Sequence, residues 1–164
     1  MPESLVTAKG NQTMLRRSRV LLLLLVCLLA AACGGGATNE PTATGGITIE
    51  DAWARPPVMA GGNGAAYFVV RNDGGTADRL IAVASPLAMA EMHESVMAED
   101  GTMSMNSVEG VDVPAGSTVA FERGGLHIMF MGVAEPPAVG DTVPLTLTFE
   151  NAGEITIDVP VRAE

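Results

Sequence analysis

Residues 142–161 read TVPLTLTFENAGEITIDVPV. Within this stretch TLTFE and ITIDV alternate apolar and polar side chains, and Asn151-Ala152-Gly153 interrupts the alternation. A period of two puts every second side chain on one face of an extended chain. The stretch therefore reads as two half-buried antiparallel strands joined by a turn. Working outward, the same grammar recurs. The spacing predicts strands at 47–53, 65–72, 78–85, 90–97, 103–108, 117–122, 126–133, 142–150 and 154–161. Turn signals separate them at 61–64, 72–75, 99–101, 114–116, 123–125, 140–141 and 151–153. Many short strands at close spacing, with no helical period, predict an all-β sandwich or barrel. Aromatic residues are 4% of the chain, so the core must rest on aliphatic side chains and Met.

The strand at 126–133 lies within GGLHIMFM, Gly124 to Met131. Alternation places His127, Met129 and Met131 on one face and Ile128 and Phe130 on the other. One face is an ordinary apolar strand face. The other offers an imidazole and two thioethers.

The N-terminal part reads as an export leader. Arg16, Arg17 and Arg19 precede the apolar run Val20–Ala32, which is short for a membrane span. Ala30-Ala31-Ala32-Cys33 resembles a lipobox, which implies cleavage before Cys33 and acylation of its sulfur; a plain signal peptide cut near Ala32 is the alternative. The Gly/Thr/Pro-rich residues 34–46 read as a flexible tether. The organisation expected is thus a leader over 1–33, a linker over 34–46 and one folded domain over 47–164, on the outer face of the cytoplasmic membrane or in the periplasm.

After Cys33 the chain keeps five Arg, no Lys and 18 acidic residues, a formal charge of 5 − 18 = −13. So acidic a surface repels phosphate backbones and argues against nucleic acid as a partner. With Cys27 and Cys33 assigned to the leader and its cleavage site, the domain has no thiolate and no disulfide.

What remains for metal chemistry is His93, His127 and eight Met residues after Cys33. Met103 and Met105 share a strand face, as do His127 and Met129. Imidazole with thioether is a soft-to-borderline donor set suited to Cu(I), whereas structural zinc prefers thiolate and calcium prefers oxygen. A thioether has no proton to lose, and an imidazole must be neutral to ligate. The competing reading is that Met fills the core and the histidines are hydrogen-bonded structural residues.

The spacing resembles the PCuAC family of exported copper(I) chaperones, whose motif is His, an optional Met, ten residues, Met, 21 residues, then His-x-Met. Here His93 is followed by Glu94 at the optional position. Ser95–Ser104 supply the ten residues before Met105, and Asn106–Leu126 the 21 before His127 and Met129. WARPP (53–57), GAAYFVVRN (64–72), DRLIAVASPLA (78–88) and LTLTFENAG (145–153) also resemble the family, so the likeness runs from about Ile47 to Val161. It implies a cupredoxin-like Greek-key β-sandwich that binds one Cu(I) through His93, Met105, His127 and Met129. It further implies delivery to the copper centre of cytochrome c oxidase, with an oxidase subunit or a Sco-like protein as partner, and a lipid anchor at Cys33 that keeps the carrier near the membrane. Met92, Met103 and Met131 are candidates for the surroundings of the site. A copper buffer or resistance protein, or a non-metal interaction module, remains open beside this reading. A blue-copper electron carrier needs a Cys thiolate that the domain lacks, and no nucleophile–base pair points to an enzyme.

Overall fold

A computed structural model describes residues 42–98 and 100–163. The lipobox Cys33, the leader and residues 34–41 of the tether lie outside the described residues. Eleven strands run in chain order: β1 (Thr42–Thr44), β2 (Ile47–Arg55), β3 (Gly62–Asn72), β4 (Asp78–Ala84), β5 (Met89–Met97), β6 (Met103–Ser107), β7 (Val111–Val113), β8 (Thr118–Phe121), β9 (Leu126–Val133), β10 (Thr142–Phe149) and β11 (Gly153–Pro160). Among the described residues there is no helix.

The strands form two antiparallel sheets. One follows the order β1-β2-β3-β9-β5-β6, with β8 also paired to β3; the other is β11-β10-β4-β7. The chain passes repeatedly from one sheet to the other, as a Greek-key sandwich requires. The all-β expectation and the sandwich reading both hold.

Periodicity explains which way each strand faces. In β10 and β11 the apolar set Val143, Leu145, Leu147, Phe149, Ile155, Ile157 and Val159 is buried and the residues between are not. From the opposite sheet Phe68, Val70, Ile128 and Phe130 point into the same core, and Phe68 stacks on Phe121 with ring centroids 4.4 Å apart. Each such side chain contributes about 1.5–3 kcal/mol through burial.

Two strands were not foreseen. β1 lies within the stretch read as a tether and pairs with β2 through a two-residue turn at Gly45 and Gly46. Both glycines have positive φ, 60° and 89°, which suits a tight hairpin. A Cβ on Gly46 would stand 2.9 Å from the Gly74 Cα, so the position is closed to side chains on steric grounds as well. β7 is only three residues long, too short to show a period. The glycine-rich stretch at 61–64, read as a turn, instead enters β3 from Gly62 because β9 pairs with it.

One irregularity bears on function. Asp51 has φ 53°, and the β2–β3 register slips between Glu50 and Trp53. This is a β-bulge, and it reverses the parity of β2. Before it Ile47 and Ile49 face the core; after it Ala52 and Ala54 do. Trp53, which shares odd parity with Ile47 and Ile49, is thereby turned to the outer face of the sheet.

Two buried polar groups brace the sandwich, Asn72 between the sheets and Asp78 within the smaller one. The Asn72 Nδ2 donates to the carbonyls of Thr76 and Val113, while its Oδ1 accepts from the Gly74 N–H. The Asp78 carboxylate accepts from the N–H groups of Arg79 (2.8 Å), Asn151 (2.9 Å) and Ala152 (2.9 Å), locking the start of β4 to the β10–β11 turn.

Candidate metal centre

The site follows from register. β5 lies between β9 and β6 and pairs with both. His93 stands directly opposite His127, Glu91 opposite Met129, and Met89 opposite Met131. On the other side of β5, His93 meets Ser107, Ser95 meets Met105, and Met97 meets Met103. Directly opposed residues share a face, and diagonal neighbours lie about 7–8 Å apart. The two histidines therefore form the centre of an outward-facing patch. Met129 is the diagonal neighbour of His93 on one strand and Met105 on the other.

Alternation in β9 is as the sequence predicted. Ile128 and Phe130 are in the core, while His127, Met129 and Met131 face the other way. The histidine rings lie 6.1 Å apart between centroids at 36°. His127 is buried, 6% exposed. Its Nδ1 lies 3.0 Å from the Gly125 carbonyl. A carbonyl only accepts, so Nδ1 carries a proton, and in the neutral ring the lone pair is then on Nε2. The same carbonyl accepts the Ser95 N–H, so the turn preceding β9 is fixed to β5 as well as to His127. The His93 side chain is 13% exposed, with Nε2 3.3 Å from the Glu91 Oε2. Its Nδ1 is buried and has no hydrogen-bond partner in the structure.

The thioethers are placed less uniformly. Met129 is partly buried, and Asn63 Nδ2 lies 3.8 Å from its sulfur. The Asn63 Oδ1 accepts from the Gly132 N–H, which holds the amide against β9. Met105 and Met103 are exposed, 56% and 55%, on the edge strand β6. Met131 shares the histidine face. Met92 does not: it is 5% exposed, inside the core and on the opposite side of the sheet from His93. It fills space between the sheets, a common use of Met.

An aromatic row extends the patch, and sequence alone did not reveal it. Tyr67 lies 6.4 Å from His127 between ring centroids, and Trp53 lies 4.6 Å from Tyr67. The Arg123 guanidinium sits over the indole at 5.1 Å. The Asp51 bulge makes this row possible. Tyr67, Asn63 and Glu91 are the neighbours missed beforehand; the signal for Tyr67 was its alternation against Phe68 and Val70.

Among the described residues no group of three or more His, Cys, Asp or Glu is arranged to hold a metal ion. Register thus brings the two histidines, Met129 and Met105 to one face of the sheet, and imidazole with thioether is a donor set of the kind suited to a soft monovalent ion.

The family model described as "Putative lipoprotein LpqE-like" matches residues 47–161. The chain belongs to this LpqE-like family. A relative described as "Putative lipoprotein Lxx21020", from Leifsonia xyli subsp. xyli, is 34% identical over 120 residues, which span 71% of this chain and 70% of that protein. Among solved structures, the copper-bound PCuAC domain from PmoF2 is 31% identical. It aligns with 76% of this LpqE-like chain and 99% of that domain at a TM-score of 0.65. The Cu(I) form of DR1885 from Deinococcus radiodurans is 27% identical over 80% of this chain and 85% of that one, with a TM-score of 0.54. The PCuAC resemblance is thus met in sequence and in fold.

Proposed function

We propose that this LpqE-like protein is an exported Cu(I) carrier that holds the ion through His93, Met105, His127 and Met129 and passes it to an acceptor. The observation that carries the reading is the in-register pair His93–His127, with rings 6.1 Å apart and a buried, unpartnered nitrogen on His93. An orphaned buried polar atom costs about 1–3 kcal/mol, and a bound cation removes that cost. Copper-bound relatives of the same fold support the choice of metal. A site without thiolate, with one thioether on an exposed edge strand, suits release as well as capture. The acceptor we favour is the copper centre of cytochrome c oxidase, reached directly or through a Sco-like protein. A lipid at Cys33 would keep the carrier beside such a membrane enzyme; the lipoprotein description of the family supports this part.

Anaerobic titration of the full-length chain, solubilised in mild detergent, against a chromophoric Cu(I) chelator tests the reading. One equivalent withheld from the chelator is expected. A chain that leaves the chelator fully loaded would return the patch to a purely structural role.

A further inference from the structure

Glu91 and His93 are two residues apart on β5, so both side chains stand on the same outer face. The Glu91 Oε2 lies 3.3 Å from the His93 Nε2. An ionised carboxylate only accepts hydrogen bonds, so the proton in this contact belongs to Nε2. A neutral ring with hydrogen on Nε2 has its lone pair on Nδ1. That is the atom left buried without a partner. His127 has the reverse arrangement, with Nδ1 donating to the Gly125 carbonyl and Nε2 carrying the lone pair.

We propose that Glu91 is a positioning residue that fixes the Nε2–H tautomer of His93, so that His93 offers Nδ1 and His127 offers Nε2 to Cu(I). The inference rests on the copper reading above. It follows a general pattern in which a ligating imidazole gives its second N–H to a carboxylate or carbonyl, which sets ring orientation and tautomer. Here one histidine uses a side-chain carboxylate and the other a main-chain carbonyl. Only the first can be removed by substitution. Glu91 belongs to no part of the core: its side chain is 43% exposed, and its register partner is Met129. Replacing it leaves the sandwich intact while freeing the His93 ring to exchange its proton between nitrogens.

The test compares the wild-type chain with Glu91→Ala and Glu91→Gln. Long-range ¹H–¹⁵N correlation spectra of the copper-free proteins read the His93 tautomer directly. Cu(I) competition then reads affinity. Wild type is expected to show a single Nε2–H form of His93. Glu91→Ala is expected to mix the tautomers and weaken Cu(I) binding about ten- to hundredfold, the usual range for losing such a partner. Glu91→Gln, which keeps an acceptor of the same reach, is expected to recover the tautomer. An Nδ1–H or doubly protonated His93 in wild type would overturn the proposal. So would an unchanged tautomer in Glu91→Ala, or a Gln variant as mixed as the Ala variant. The spectra need no copper, so the two readings fail separately. The expected tautomer response without Cu(I) binding by wild type sinks the copper reading; tight binding without a tautomer response sinks the role of Glu91.

Discussion

Replacing His127 with alanine is expected to weaken Cu(I) binding by more than roughly a hundredfold while the chain stays folded. Loss of an outer partner of a metal ligand costs about ten- to hundredfold, so loss of the ligand itself should exceed that range. His127 is the better of the two histidines for this test. It sits opposite His93 in register, its ring orientation is set by the Gly125 carbonyl, and its lone pair faces away from that bond. It is buried, yet it lies outside the apolar core and rests on the outer face beside Tyr67. Truncation there costs about 1 kcal/mol, the central value for single substitutions, and leaves the two sheets packed. Met129→Leu keeps the shape and removes only the sulfur, and should weaken binding in the same direction. Chelator competition together with a thermal unfolding curve separates loss of site from loss of fold. A folded His127→Ala variant of wild-type affinity would remove His127 from the ligand set.

Asp78→Asn should lower stability by about 2 kcal/mol at neutral pH, an effect confined to the fold. The Asp78 residue is 8% exposed. Burial alone pushes its carboxyl up, but the N–H donors of Asn151, Arg79 and Ala152, with the Asn151 side chain, outweigh burial and hold it below the ordinary aspartate value. The sign follows from linkage. A carboxylate with a depressed folded-state pKa contributes stability that is complete above the unfolded-state value, about 3.9. That stability is lost as pH falls through the lower, folded-state value. An asparagine offers one acceptor oxygen where the carboxylate offers two, and turns an N–H₂ toward backbone donors. The difference between wild type and Asp78→Asn in urea unfolding should therefore be full at pH 7 and shrink below about pH 4. A gap that is absent at neutral pH, or that widens in acid, would contradict this account of the β4 anchor.

Much of the sandwich was readable because a two-residue period survives wherever one face is wet. β9 spans Leu126–Val133, as the alternation in LHIMFMGV implied, and β10 and β11 follow the same logic. Irregular backbone was not readable. The bulge at Asp51 needs φ 53° from an ordinary residue, and nothing in ITIEDAW marks where parity reverses. Hence the position of Trp53 beside Tyr67 came only from the structure. β1 and β7 are three residues each, too short to express a period.

The candidate site divides along the same line. Resemblance to the PCuAC motif singled out His93, Met105, His127 and Met129, and alternation put His127 with Met129. Which residue of β5 stands opposite which residue of β9 is set by the packing of the whole sandwich. Neither the His93–His127 pairing nor the contact of Glu91 with His93 is local information. Met92 was open between the surroundings of the site and core packing, and strand parity, which turns it away from His93 in an extended segment, sends it into the core.

The central claim is a mixed imidazole–thioether centre for Cu(I), and X-ray absorption of the Cu(I)-loaded protein tests it most directly. The account predicts two nitrogen and two sulfur scatterers in the first shell of wild type, with one nitrogen missing in His127→Ala. A shell of nitrogen and oxygen alone, or one unchanged by His127→Ala, would contradict it.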